Sequence, residues 1–210
     1  MATSQLGLYN IALRVLGERS LDSLTEEGEP RRELDAVWSS GQGAPRLWLE
    51  QGLWNFAIRA QQLDSSTTLT PAFGYSFAFD RPSDLVRLID ISADEAFNAP
   101  LLNYEPEVTY YFANVDPLYI RFVSDDESYG TDFSLWPETF TLWAGTWLGL
   151  QIAPRIKADT DVDRLEAKVA KLLRDARSKD AMDEPTRFPN HGFWAQSRWG
   201  RYSENRDRKG

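Results

Sequence analysis

Hydrophobic positions repeat with one period near the two ends of this chain and with another in its middle. Leu6, Tyr9, Ile11, Leu13 and Leu16 open it at helical spacing, with Ser4 placed to cap and Gly17 placed as a left-handed stop. This predicts a helix over 4–16. After a polar stretch, Pro30 suits the start of a second helix. Leu34, Val37, Trp38, Gly41, Pro45, Trp48 and Gly52 then advance in steps of three and four. The expectation is one long helix over 30–52, kinked near Pro45 because proline removes a backbone hydrogen bond.

The period then changes. Segments 56–63, 75–79, 85–91, 108–112 and 118–123 are aromatic or β-branched and are separated by Pro, Gly, Asp and Ser, and Tyr75, Phe77 and Phe79 alternate with Ser76 and Ala78. They predict a small antiparallel sheet within 56–123, followed by an acidic loop over 124–133. A third helix is expected over 137–157. Its apolar run is interrupted by Gly145, Gly149, Gln151 and Pro154, so it reads as a buried helix and not a membrane span. The fourth, over 160–178, begins at Thr160 with Asp163 three residues on, a variant of the capping box, and presents Val162, Leu165, Val169, Leu172, Leu173 and Ala176 on one face. The fold class is α+β: a helical bundle built from N- and C-terminal helices with a central β insertion, over 1–179, and an extended C-terminal arm over 180–210.

Composition changes the picture in three places. The chain has 210 residues, 42% of them hydrophobic and 26% charged, which suits one folded domain with a core of its own. It has no cysteine, which removes disulfides, thiolate metal sites and cysteine nucleophiles, and its first sixteen residues lack a basic start followed by an apolar run. The expectation is synthesis in a cytosol, with neither secretion nor membrane insertion. Net charge is −9, with six Arg or Lys against two Asp or Glu from Pro185 onward. That local +4 leaves −13 on residues 1–184, a body that repels nucleic-acid phosphates.

Candidate chemistry is sparse. The single histidine, His191, lies in the unpatterned arm, where nothing would fix its tautomer. Asp159, Asp161 and Asp163 alternate like the opening of a calcium loop, but Arg164 and Ala170 stand where glycine and a bidentate glutamate are required, so they read as helix N-terminal carboxylates. Asp125, Asp126 and Glu127 are too close together to flank a sugar ring and read as a solvated turn. Neither a catalytic constellation nor a cofactor or metal site is expected. Trp38, Trp48, Trp143 and Trp147 fall at helical spacing and read as core. In the arm, Phe188, Phe193, Trp194, Trp199 and Tyr202 interleave with Arg198, Arg201, Arg206 and Arg208. With too few aliphatic residues to fold alone, this segment reads as a partner-binding arm.

Leu53, Trp54, Asn55, Phe56 and Ala57, followed by Arg59 and Leu63, resemble a signature of the head-to-tail adaptor proteins of tailed bacteriophages, also called connector or tail tubular protein A proteins. The resemblance continues through Tyr75, Ser76, Phe77, Ala78 and Phe79, then Arg81, Pro82, Ser83, Asp84, Leu85, Val86 and Arg87. It extends to Leu118, Tyr119, Ile120 and Arg121, and to the small-residue helix with Leu148, Ile152, Ala153 and Pro154, so that residues 5–178 are covered in order. The resemblance implies a structural ring subunit of a virion, commonly in twelve copies. Such a ring is assembled in the host cytoplasm, docked beneath the portal protein and joined below to a tail nozzle, tube or stopper. Double-stranded DNA would pass through without specific binding. It also implies that the C-terminal arm reaches the portal. Gly41, Gly43 and Pro45 depart from the smoother helix of that family. Two alternatives stay open: a tail-associated carbohydrate-active enzyme, and a tail-completion protein located elsewhere.

Overall fold

The computed structural model describes residues 4–71, 74–98, 100–157 and 159–183. Among these residues, five α-helices and two three-stranded antiparallel sheets make up a mixed α+β fold. Helix α1 spans Gln5–Leu16; the Ser4 hydroxyl accepts from the Gly7 N–H at 3.1 Å, and Gly17 ends the helix at φ 75°. Both positions behave as their residue types require.

The long helix expected over 30–52 is two helices, α2 over Glu29–Trp38 and α3 over Ala44–Glu50. Between them Gly41 and Gly43 take φ of 62° and 93°, so the chain turns through left-handed backbone and Pro45 opens α3 instead of kinking a continuous helix. The apolar spacing still reports burial, because Trp38 and Trp48 meet edge to face at 5.8 Å across the break.

Helix α4, Glu138–Ile156, lies against α1, α2 and α5 and is buried along most of its length. Gly145 and Gly149 make the approach to α1 possible: a Cβ on Gly145 would stand 2.6 Å from Ile11 Cγ2, and one on Gly149 3.0 Å from the Ala12 carbonyl. Helix α5 spans Val162–Asp183, starting and ending later than expected. Its cap is Asp161, not Thr160: the carboxylate accepts from the Arg164 N–H at 3.0 Å. Its last turns persist because they are tied to the segment after α3. The Asp180 carboxylate accepts from the Asn55 N–H at 3.0 Å, and Asn55 Nδ2 also donates to the Asp180 carbonyl at 2.6 Å.

The central region forms two sheets where one was expected. Sheet one has the order β1–β6–β3, from Ile58–Leu63, Leu118–Ser124 and Leu85–Ser92. Sheet two has the order β2–β5–β4, from Phe77–Asp80, Tyr110–Ala113 and Tyr104–Pro106. Strand β4 carries little β-forming signal and went unseen in the sequence; residues 55–57 form a 3-10 turn ahead of β1. Strand β6 shows why two sheets are needed. Leu118, Ile120 and Phe122 alternate into a core shared with Phe79 and Tyr111 of sheet two, while Val123 joins the helical core. Sheet one therefore packs on sheet two through one face and meets the helical core at the Val123 end of the other, along which Ala60 and Gln62 are exposed.

Candidate functional site

Every residue singled out in the arm, Phe188, Phe193, Trp194, Arg198, Trp199, Arg201, Tyr202, Arg206 and Arg208, lies outside the described residues, as does His191. Residues 180–183, expected to begin the arm, belong to α5.

The acidic loop is not a plain solvated turn. Asp125 pairs with Arg46 of α3, and Arg46 Nη2 also donates to the Leu85 carbonyl at 3.2 Å. Arg59 of β1 binds Asp84 at 2.8 Å and lies 3.8 Å from Asp126, with its guanidinium 5.3 Å from the Tyr129 ring centre. The Ser124 hydroxyl donates to Asp84 at 2.5 Å. One half-buried polar junction thus joins α3, both outer strands of sheet one and the loop after β6, where the helical and sheet cores meet. Carboxylates held this way by arginines are positioned for structure, and breaking one pair strands the other partner. No single segment of sequence signals this, because the partners are 25 to 79 residues apart.

The Leu53–Ala57 segment is a packing hub. Trp54 is 1% exposed and donates its indole N–H to the Trp48 carbonyl at 3.0 Å, while its ring meets Phe140 at 4.7 Å. Trp48 and Trp143 are buried and Trp38 and Trp147 half-buried, as core residues should be. Trp136 joins them and bonds the Gly130 carbonyl at 2.8 Å. Burial pushes the Tyr9 hydroxyl well above the ordinary phenol range, and it donates to Asp35 at 2.9 Å. At the next loop, the Ser134 hydroxyl and N–H hold the Asp132 carboxyl below its usual range.

Asp161 is spent on the cap of α5, and no group of three His, Cys, Asp or Glu among the described residues is placed to hold a metal. No helix among them is long and apolar enough to cross a membrane. The conspicuous surface feature is aliphatic: Leu102 is 92% and Val108 86% exposed on either side of β4, and Leu47, Leu53, Leu135 and Leu142 are also exposed. Scattered apolar residues are ordinary, but two nearly bare ones beside a single edge strand suit contact with another chain. No family model matches the chain, and no curated protein matches it.

Proposed function

We propose that this chain is a structural ring subunit of a tailed-bacteriophage virion, joining the portal to the tail and forming part of the passage for DNA. The observation that most favours this reading is the junction between Arg59 and Asp84 at 2.8 Å. These residues belong to two of the segments that resemble head-to-tail adaptors, and they bind each other where the sheet region is fixed to the helices. Trp54 and Asn55 of the same segments anchor α3 and α5. The resembling residues therefore support one framework: helices at the chain ends, read as the adaptor bundle, with the β region inserted between them.

A structural role also fits the carboxylates. Asp125 pairs with Arg46 and Asp126 lies 3.8 Å from Arg59, so both belong to the polar seam between the helices and the sheet region. An acidic body suits passage of DNA, since a wall rich in carboxylates does not hold phosphates. The arm reads as a partner-binding segment by its aromatic and arginine content, and its assignment to the portal follows from its position in the resemblance to head-to-tail adaptors.

Imaging of particles carrying a labelled copy of the chain tests the reading. A ring between portal and tail is the expected result. A position lower in the tail would replace it with a tail-completion role, and hydrolysis of a polysaccharide by the purified chain would replace it with an enzyme.

A further inference from the structure

Between the C-terminal end of α1 and the start of α5 lies an open groove of about 640 Å³, with Val15, Leu165 and Ala167 as its aliphatic wall. Arg164, Lys168 and Lys171 line it, at i, i+4 and i+7 of α5. All three are exposed, and none forms an ion pair among the described residues. Asp161, the one carboxylate on the lining, is engaged by the helix it caps. A net positive, part-aliphatic groove is out of character with a body that carries −13.

The complementary feature is on the same chain. Strand β4 and β5 form a hairpin closed by the Glu107 N–H donating to the Tyr110 carbonyl at 2.8 Å, which leaves Val108 and Thr109 at its tip. Tight hairpin tips favour Gly, Asn or Asp, and a valine there serves no turn geometry. Val108 is nonetheless 86% exposed, flanked by exposed Glu105 and Glu107, which form no ion pair among the described residues. Its shape and charge are what the groove lacks.

We propose that the β4–β5 hairpin tip of one copy docks in the α1–α5 groove of the next, Val108 against the aliphatic wall and Glu105 and Glu107 among the three cations. Tip and groove are different surfaces, so the contact is head to tail, and repeated it closes a ring or grows a chain. Its place in a particle rests on the ring-subunit reading, but the contact itself is testable without portal or particle. Being electrostatic at its rim, it weakens with salt.

The chain has no cysteine, which makes a clean test possible. Val108→Cys with Ala167→Cys in one chain, mildly oxidised at high concentration, is expected to give a ladder of disulfide-linked multimers, whereas either single variant stops at a dimer. In that background, Lys168→Glu with Lys171→Glu, or Glu105→Lys with Glu107→Lys, should each cut the ladder at least tenfold. Mixing the two reversed proteins should restore it, because each tip then meets a groove of opposite sign; restoration also shows that both variants fold. No ladder from the double-cysteine chain, or no rescue on mixing proteins of native circular dichroism, overturns the proposal. If the groove reversal instead abolishes binding of a short DNA duplex and the tip reversal changes nothing, the groove takes nucleic acid and the copy-to-copy contact is wrong. A ladder with rescue, in a protein that imaging places away from the portal, keeps the contact and removes the connector reading.

Discussion

Glycine at Gly145 trades intrinsic helix propensity for closeness. Alanine there would gain about 1 kcal/mol of propensity, but its Cβ would sit 2.6 Å from Ile11 Cγ2 on a neighbouring helix. Overpacking of this kind costs about 1–3 kcal/mol, so Gly145→Ala should lower the thermal midpoint by a few degrees and Gly145→Leu by considerably more, as calorimetry would read. Gly130 is less forgiving, because its added Cβ would lie 2.1 Å from the Ser124 carbonyl, a backbone atom. Tyr9 makes a pH-dependent contribution. Burial raises its hydroxyl above the unfolded value of about 10, so the folded chain holds that proton more tightly. The contribution is complete below that value and is lost as pH rises through the raised one. Tyr111, also raised by burial, adds to the decline. Tyr9→Phe should make the alkaline loss of stability shallower in urea titrations, while costing about 1.5–3 kcal/mol near neutral pH for the lost bond to Asp35.

The joints between elements carry the arrangement. Asp84→Asn would leave Arg59 without its closest carboxylate and weaken the Ser124 contact, at the seam where the sheet region meets α3. Removing one partner of a half-buried pair typically costs more than the pair is worth, so a loss of about 2–3 kcal/mol is expected. Charge reversal of Arg59 and Asp84 together should recover part of it in a double-mutant cycle. Truncation before Pro185 removes the arm while keeping α5 to Asp183, including its ties to Asn55. That chain should melt close to the full-length one and fail to attach to portals. Equal attachment by the truncated chain would assign the arm to DNA or to the tail.

At the scale of the whole molecule, the described residues form two cores, one helical and one between sheets, that meet at a polar seam, and residues 1–184 carry a net charge of −13. Self-repulsion of such a body favours dispersed subunits until something concentrates them. Sedimentation at micromolar concentration should therefore show monomer, with closed rings appearing only when portals are added. His191→Ala, and separately Asp126→Asn, should leave head-to-tail joining near normal; loss of a hydrolytic activity with rings intact would speak for an enzyme.

Periodicity along the chain was enough for α1 with its Ser4 cap and Gly17 stop, for the buried course of α4, and for β3 and β6, because each depends on neighbours a few residues away. It was also enough to place Trp48 and Trp143 inside. It misjudged the α2–α3 break, since apolar spacing reports which side is buried and not whether the backbone between is helical; the two glycines decided that. It merged two sheets into one, because strand patterns carry no pairing information. The candidate surfaces were divided in the same way. The arm stood out by composition, while Asp125 and Asp126 read as solvated because Arg46 and Arg59 are remote in sequence. The groove beside α5 and the bare Val108 tip were equally hidden, since exposure and proximity arise only when distant segments fold together.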